Sequence, residues 1–149
     1  MPKRKPYIIC DLDGTLCDIE HRTHHVRGKR KNWKKFFEGL KDDQINEVVA
    51  EILKRFSETH DIIFLSGRPE HCRAETIAWL AEQAGIADPE IHMRKEGDFR
   101  ADNLIKSELY EPIEASRGKP FFILDDRSRV VKMWRERGLT CLQVAEGDF

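Results

Sequence analysis

Short apolar runs alternate with longer amphipathic stretches along this chain. The short runs are apolar and rich in residues that favour β-structure, which is typical of buried strands. They cover residues 7–10, 62–65, 91–93, 121–124 and 139–144. The pattern therefore predicts five strands, of which the one at 91–93 is the weakest.

Between these runs, apolar residues recur at helical spacing. The predicted helices cover residues 33–40, 42–56, 70–84, 101–115 and 128–137. Asp42 and Asp43 are placed to cap the second helix, Gly85 and Gly138 to end the third and fifth, and Pro112 to bend or break the fourth. The apolar stripes predicted to face the core are Ile45, Val48, Val49, Ile52, Leu53 and Phe56 on the second helix and Ile77, Leu80 and Ala84 on the third.

Strands that alternate with helices predict an α/β fold with a Rossmann-like parallel sheet. The chain has 149 residues, which is enough to bury a substantial core. Because no internal repeat or composition change divides it, we expect one domain over residues 1–149. The stretch of about residues 17–40, between the first strand and the first long helix, is expected to form a small cap insertion.

Composition narrows the class of protein. No apolar run approaches the roughly 20 residues of a membrane helix, so a transmembrane protein is not expected. The apolar run at residues 7–10 is too short for a signal peptide, and the cysteines show no CxxC spacing. We therefore expect a cytoplasmic protein with four reduced thiols, Cys10, Cys17, Cys72 and Cys141.

A basic segment, residues 21–35, stands out within a chain of 26 basic and 27 acidic residues. It contains no acidic residue and seven basic ones: Arg22, Arg27, Lys29, Arg30, Lys31, Lys34 and Lys35. Such a run forms either a solvated face or a landing surface for a polyanion, and both interpretations stay open on charge alone.

Polar clusters directly follow three of the predicted strands, at residues 11–13, 66–68 and 125–127. The carboxyl ends of parallel strands meet at one edge of the sheet, so these clusters should converge. Packed carboxylates repel each other unless a cation lies between them, and oxygen ligands suit a hard ion. The sequence therefore predicts a site at this edge, with Mg²⁺ as its metal.

The motif Asp11-Leu-Asp13-Gly14-Thr15-Leu16 resembles the first motif of the haloacid dehalogenase superfamily of aspartate-nucleophile phosphatases. Ser66 resembles its second motif, Lys106 its third and the Asp125-Asp126 pair its fourth. Residues 94–102, 125–135 and 143–149 are similar to the 3′-phosphatase domain of phage-type polynucleotide kinase/phosphatase. No GxxxxGK[ST] loop occurs, so the kinase half is not represented in this sequence.

The resemblance implies a role for each motif residue. Asp11 would be the nucleophile that forms an aspartyl-phosphate, and Asp13 the general acid and then base. Mg²⁺ would be held by Asp11, the Asp13 carbonyl and Asp126, with Asp125 either behind the metal or bound to it through water.

The resemblance also implies the groups that meet the phosphate. Ser66 would donate to the phosphoryl oxygens, and Lys106 would neutralise charge between nucleophile and phosphate. Arg22, Arg68, Arg94 and Asp102 match further residues of the phage-type site, and an arginine fork suits a phosphate.

The function implied is Mg²⁺-dependent removal of 3′-phosphate from DNA or RNA ends during nucleic-acid repair. One alternative is a small-molecule phosphatase or nucleotidase on the same fold. Another is a non-catalytic binding module, or a phosphatase working with a separate kinase or ligase protein. The short insertion favours a polymer, because a small cap leaves the site open. DNA or RNA preference, action on 2′,3′-cyclic phosphate and oligomeric state stay open.

Other candidates have a simpler structural explanation. Packing of a cap helix is preferred over base stacking for Trp33, Phe36 and Phe37, whose spacing is helical. Core positions are expected for Trp79 and Trp134, and structural roles for Cys10 and Cys17. A metal site at His21, His24 and His25 is not favoured, since no further ligand is suitably spaced.

Overall fold

The computed structural model describes residues 4–148. Residues 1–3 and Phe149, which belong to the predicted domain and to the C-terminal resemblance, lie outside the described residues. The elements in chain order are β1 Tyr7–Cys10, β2 Cys17–Asp18, α1 Trp33–Glu38, β3 Gln44–Ile45, α2 Glu47–Phe56, β4 Asp61–Pro69, α3 Arg73–Ala84, β5 Glu90–Arg94, α4 Asp102–Arg117, β6 Ile123–Asp125, α5 Ser128–Glu136 and β7 Cys141–Gln143. Short 3₁₀ turns lie at Glu20–His25, Leu40–Asp42 and Glu70–Cys72.

Five strands form one sheet in the order β5-β4-β1-β6-β7, and all neighbouring pairs are parallel. Strand β1 alternates its side chains between two apolar layers. Ile8 and Cys10 face the layer that includes α2, α3 and the insertion, whereas Tyr7 and Ile9 face the layer that includes α4 and α5. Burial on both faces explains the nearly continuous apolar runs. The predicted α/β fold with a parallel sheet is confirmed.

The start of α2 corrects the predicted cap. Asn46 accepts hydrogen bonds from the backbone N–H groups of Val48 and Val49, so the helix begins at Glu47. Ile45 instead lies in β3, which pairs antiparallel with β2. The predicted cap at Asp42-Asp43 is therefore wrong, and so is the inward placement of Val48, which is 71% exposed.

Three further predictions about the elements are corrected. Strand β4 continues to Pro69, with an irregular register after Ser66, rather than stopping before Ser66. Pro112 is exposed, and it does not break α4, which runs to Arg117. Ile77 faces outward, since Trp79 occupies the buried side of α3.

The insertion packs on the sheet through buried apolar side chains. These include Leu16, Ile19, Val26, Phe36 and Leu40. Its two ends are joined by the β2–β3 pair, in which Cys17 lies opposite Ile45. This pair holds the insertion over the end of β1. Within the described residues, none of the helices is long and apolar enough to cross a membrane.

Candidate active site

Adjacent strands β4, β1 and β6 bring the three predicted polar clusters to one edge of the sheet. Cys10, the last residue of β1, lies beside Phe64 of β4 and Leu124 of β6. Asp11 follows Cys10, so its carboxylate emerges between the ends of these two strands. This confirms the expected convergence of the clusters at a single edge.

The acidic cluster consists of Asp11, Asp125 and Asp126. One carboxylate oxygen of each lies within 4.8 Å of the others, and all three residues are buried. Lys106 of α4 donates from Nζ to Asp11 Oδ1 at 2.8 Å and to Asp125 Oδ2 at 3.0 Å. The cluster therefore has three carboxylates and one lysine, which pairs with two of them.

Burial and like charge disfavour ionisation of this cluster. Burial, followed by the Asp125 charge, raises the pKa of Asp11 well above its usual value and that of Asp126 to about 6. Burial opposes the charge of Lys106 as well, but Asp11 and Asp125 outweigh it and raise the Lys106 pKa. A divalent cation bound by these carboxylate oxygens would offset the excess of negative charge. The cluster therefore fits an ion that prefers oxygen ligands.

Two residues of the first motif shape the cluster directly. Thr15 Oγ1 lies 3.1 Å from Asp11 Oδ2 and 3.3 Å from Asp126 Oδ1, so its hydroxyl joins the two carboxylates. Gly14 has φ 82°, and a Cβ there would lie 2.1 Å from Asp126 Oδ2. Only glycine therefore lets the first motif approach Asp126 this closely.

Backbone and indole donors surround Asp125 and hold it in place. Its Oδ1 accepts from the Asp126 backbone N–H at 2.9 Å, and its Oδ2 accepts from Lys106 and from Trp134 Nε1 at 3.3 Å. The C-terminal stretch supports the same segment. Gln143 Nε2 donates to the Asp126 carbonyl, and a Cβ on Gly147 would lie 2.4 Å from that oxygen.

A second charged group, the arginine cluster, consists of Asp13, Arg22, Asp43 and Arg68. Both arginines donate from Nη2 to Asp13 Oδ1 at 2.6 Å. Arg22 also forms a two-pronged contact with Asp43, from Nε to Oδ1 at 2.7 Å and from Nη2 to Oδ2 at 2.6 Å. Arg68 Nη2 reaches Asp43 Oδ2 at 3.3 Å and its Nη1 donates to Thr76.

The arginine cluster favours the ionised form of Asp13. Burial alone would raise the Asp13 pKa, but Arg68 and Arg22 outweigh it and hold this pKa well below its usual range. The same contacts raise the pKa of Arg68 against the effect of burial. Arg22 and Arg68 are themselves buried, so they act on Asp13 from behind the cavity surface.

Asp43 is a site residue that the sequence prediction missed. Its partners Arg22 and Arg68 are 21 and 25 positions away, and His21 Nε2 is a third partner at 2.6 Å from Oδ1. One local signal bears on the role of Asp43. Asn46 lies directly before the helix and caps it, whereas Asp43 lies too early in the chain to do so. Recognising that cap would have left Asp43 without a local role.

The third side of the site contains Arg94, Asp102 and Arg127. Arg94 donates from Nε to the Gly67 carbonyl at 2.9 Å and from Nη2 to Asp102 Oδ1 at 3.4 Å. Asp102 Oδ2 lies 3.6 Å from Arg127 Nη1 and 3.8 Å from Lys106 Nζ. A Cβ on Gly67 would lie 1.9 Å from Asp102 Oδ1, which explains the glycine after Ser66. Arg127 belongs to the polar cluster predicted at residues 125–127, although the family resemblance gave it no role.

A cavity of about 610 Å³ opens over this edge of the sheet. Asp11, Asp13, Arg94, Asp102 and Asp126 line it, together with parts of the insertion and of the loop before α4. The other predicted residues, Ser66, Arg22, Arg68 and Lys106, are buried behind this lining. Ser66 Oγ accepts the backbone N–H of Arg68 at 3.1 Å.

Comparison with known proteins gives close relatives. A chain of the Pnkp1/Rnl/Hen1 RNA repair complex is 37% identical, with a TM-score of 0.79 over 100% of this chain and 46% of that chain. A putative bifunctional polynucleotide kinase/RNA ligase of Autographa californica nuclear polyhedrosis virus is 28% identical over 131 residues. The match covers 87% of this chain and 18% of the viral protein, so the chain spans only a part of these relatives.

A more distant likeness shows the fold. The class C acid phosphatase from Bacillus anthracis is 14% identical, with a TM-score of 0.71 over 99% of this chain and 69% of that chain. The sequence model described as the polynucleotide kinase PNKP phosphatase domain matches residues 5–149. The chain therefore belongs to this family, and it is a phosphatase domain of the polynucleotide kinase/phosphatase type with the haloacid dehalogenase fold that its motifs predicted.

Proposed function

We propose that the protein is a Mg²⁺-dependent polynucleotide 3′-phosphatase that acts on DNA or RNA ends through an aspartyl-phosphate. The observation that carries this proposal is the position of Asp11. Its carboxylate lies on the cavity surface, at the end of β1, beside two further carboxylates that one lysine does not neutralise. A nucleophile and a cation-binding group thus share one wall of an open cavity.

Asp11, Asp126 and the Asp13 backbone carbonyl are the proposed Mg²⁺ ligands. Asp125 is the weaker candidate for direct binding, because Lys106, Trp134 and the following backbone N–H already occupy its oxygens. When bound, Mg²⁺ supplies the positive charge that offsets repulsion between a phosphate and these carboxylates.

Asp11 attacks the phosphorus atom, and the bond from phosphorus to the 3′-oxygen breaks. A proton from Asp13 passes to the leaving alkoxide, and Asp13 then takes a proton from the water that attacks the aspartyl-phosphate. This second step releases phosphate and restores the Asp11 carboxylate. Lys106 holds Asp11 in position and balances part of the charge on its oxygens. Ser66 lies in β4, just before the irregular part of its register, and would donate a hydrogen bond to the phosphoryl oxygens.

The arginine cluster affects the two proposed functions of Asp13, as general acid and as general base. Arg22 and Arg68 favour the carboxylate, which suits the base step. The acid step needs a protonated Asp13. An approaching phosphate brings negative charge that counteracts the two arginines and favours protonation. Arg94 and Asp102 form the adjacent wall of the cavity. Arg94 also donates to the carbonyls of Gly67 and Asp98, so it supports the loop before α4.

The comparisons support a polynucleotide substrate and a kinase or ligase partner. One neighbour belongs to an RNA repair complex, and the viral relative is described as a kinase/RNA ligase. The four cysteines are free and buried, which fits the proposed cytoplasmic location. The rival function is a small-molecule phosphatase, and the fold shared with acid phosphatases is compatible with it.

Turnover of three substrates tests this proposal. A 3′-phosphorylated oligonucleotide, the same oligonucleotide with a 5′-phosphate, and a free 3′-mononucleotide are compared with Mg²⁺ and with a chelator. We expect the highest kcat/KM for the 3′-phosphorylated oligonucleotide and no turnover with the chelator. A preference for the mononucleotide would favour the small-molecule function, and equal use of both oligonucleotide ends would refute 3′ specificity.

A further inference from the structure

Two exposed aromatic side chains line the cavity that contains Asp11. Trp33 belongs to α1 of the insertion and is 37% exposed, while Phe99 lies in the loop before α4 and is 94% exposed. Burying a phenylalanine contributes about 1.5–3 kcal/mol relative to leaving it in water. A phenylalanine kept almost wholly exposed at the mouth of a cavity is therefore available to a ligand that covers it.

The loop that carries Phe99 is fixed on both sides of this residue. Arg94 Nη1 donates to the carbonyls of Asp98 at 3.0 Å and of Arg100 at 2.6 Å. Arg100 also forms ion pairs with Asp98 and Glu108. These contacts hold the backbone on both sides of Phe99, whose side chain is 94% exposed at the cavity. The loop therefore presents Phe99 from a supported backbone.

Trp33 is also held in place by its neighbours. Its ring lies 6.0 Å from that of Phe37 in a stacked arrangement and 5.5 Å from that of Phe36 in an edge contact. Phe36 is buried, so it anchors the group to the insertion. The expected packing role is thus correct for Phe36, whereas Trp33 presents a firmly supported indole to the cavity.

Positive charges accompany these two rings. The lysines and arginines that line the cavity are Lys31, Lys34, Arg94, Lys95, Arg100, Arg127 and Arg129. Lys31 Nζ and Arg127 Cζ lie 5.8 and 5.9 Å from the centre of the Trp33 ring. Rigid aromatic faces among cations suit a ligand with flat π-systems and phosphates. A polynucleotide offers both, since every nucleobase has a π-face.

We propose that Phe99 and Trp33 form a stacking site for unpaired nucleobases at the 3′ end of the polynucleotide whose phosphate reaches Asp11. This inference rests on the proposed function and adds to it a preference for ends with unpaired bases. A base inside a duplex has its faces covered by its neighbours, so it has to leave the stack before it can occupy the site. Stacking is tolerant of base identity, so neither ring distinguishes one base from another.

Kinetics with and without a terminal base give the first test. Two 3′-phosphorylated oligonucleotides are used, one of which lacks the base of its last nucleoside, and glycerol 2-phosphate serves as the substrate without an aromatic ring. Stacking contributes about 1–3 kcal/mol per base, so Phe99→Ala and Trp33→Ala should each raise KM for the complete oligonucleotide by roughly 5- to 150-fold. Neither substitution should change KM for glycerol 2-phosphate, and their effect should largely disappear with the abasic end.

Phe121→Ala is the matched control. Phe121 is 60% exposed, precedes β6 and is not among the residues that line the cavity. We expect this substitution to leave KM unchanged for every substrate. If Phe99→Ala and Trp33→Ala behave like Phe121→Ala on the complete oligonucleotide, the stacking site is refuted while the 3′-phosphatase function stands.

Tryptophan fluorescence tests binding without turnover. The chain has three tryptophans, and Trp79 and Trp134 are buried. An oligonucleotide with a 3′-hydroxyl should therefore quench mainly Trp33, and the quenching should weaken with the abasic end and with Phe99→Ala. Base-dependent quenching in a protein that does not hydrolyse 3′-phosphorylated ends would refute the proposed function and retain the stacking site. Equal quenching by complete and abasic ends would refute the stacking site.

Discussion

The two charged clusters at the end of the sheet are built on opposite principles. The acidic cluster has three buried carboxylates and one lysine, which pairs with two of them, so negative charge is in excess. The arginine cluster pairs two carboxylates with two guanidinium groups, so charge is nearly balanced. Accordingly, the pKa values of Asp11 and Asp126 are raised, whereas that of Asp13 is lowered.

This difference in charge balance indicates that one cluster binds a ligand, whereas the other holds side chains in position. An excess of buried negative charge destabilises the folded protein when no cation is bound. A cation that binds there relieves the repulsion and stabilises the folded protein. A balanced buried network already satisfies its own members and mainly fixes their positions. We therefore propose that the acidic cluster binds the metal and the phosphate, and that the arginine cluster sets the orientation and ionisation of Asp13.

The largest expected effect of a substitution in the arginine cluster is that of Asp13→Asn. General acid catalysis contributes typically ~10²–10⁴-fold, and a sugar alkoxide needs a proton whereas p-nitrophenolate leaves without one. The variant should lose about that factor in kcat on a 3′-phosphorylated oligonucleotide and far less on p-nitrophenyl phosphate. Equal losses on both substrates would show that Asp13 supports the loop or the metal and does not transfer protons.

Asp43→Asn tests whether the arginine cluster is a positioning network. Removing one charge from a buried pair destabilises a protein by about 3–5 kcal/mol, because the partner charge remains buried. Unfolding in urea should show a loss of this order, and the pH profile of kcat should shift because Arg22 and Arg68 lose their second carboxylate.

Glu51→Gln is the matched control for Asp43→Asn, since it breaks the exposed Glu51–Arg55 pair, with a 3.0 Å separation. A pair in this setting contributes about 0–1 kcal/mol. If Asp43→Asn is no more destabilising than this control and leaves the pH profile unchanged, Asp43 is not a positioning residue.

Asp126→Asn tests the excess charge of the acidic cluster through stability. Without metal, the substitution removes one of three repelling carboxylates, so Tm at neutral pH should rise. Each 1 kcal/mol of added stability corresponds to a rise of roughly 2–4 °C for a domain of about this size. With increasing Mg²⁺, Tm of the wild type should rise and that of the variant should respond much less.

The exposed Asp42 provides the control for this experiment, because Asp42→Asn removes the same charge outside the cluster. It should leave both Tm and its response to Mg²⁺ unchanged. A metal-free Tm that falls in Asp126→Asn, or an undiminished Mg²⁺ response in that variant, would contradict the assignment of this cluster.

The smallest expected effect concerns the basic segment. Arg22 is buried in the arginine cluster, whereas Lys29, Arg30 and Lys31 are exposed. If these three contact single-stranded phosphates, replacing them with glutamine should flatten the slope of log KM against log salt by up to about two units, at about 0.7 per phosphate. The same charge change at the exposed residues Lys54, Lys119 and Lys132 should not alter the slope. Coinciding slopes for the basic-segment variant and the wild type would identify a solvated face.

The sequence predicts the acidic cluster better than the arginine cluster for a physical reason. Asp11, Asp125 and Asp126 each follow an apolar run that forms a strand, and parallel strands meet at one edge. Their convergence is therefore a consequence of the same pattern that predicts the fold. Lys106 was located by the family resemblance, because a lysine on a helix has no local signal of burial.

Tertiary packing decides the features that the sequence pattern did not reveal. Asp43 and Arg22 meet across the insertion, and no periodicity relates them. Phe99 lies in a loop whose backbone is held by Arg94, and the amino-acid type alone does not distinguish it from a core phenylalanine. Asn46, by contrast, is a common helix-cap residue directly before Glu47, so the start of α2 has a local signal in the sequence.

Trapping of a phosphorylated protein tests the central claim most directly. The protein is mixed with Mg²⁺ and an oligonucleotide that carries a radioactive 3′-phosphate, quenched in acid during turnover and digested for peptide analysis. We predict label on the peptide that contains Asp11, no label from a radioactive 5′-phosphate, and neither label nor turnover in folded Asp11→Asn protein. Release of 3′-phosphate by an Asp11→Asn protein, or label on another residue, would contradict the account.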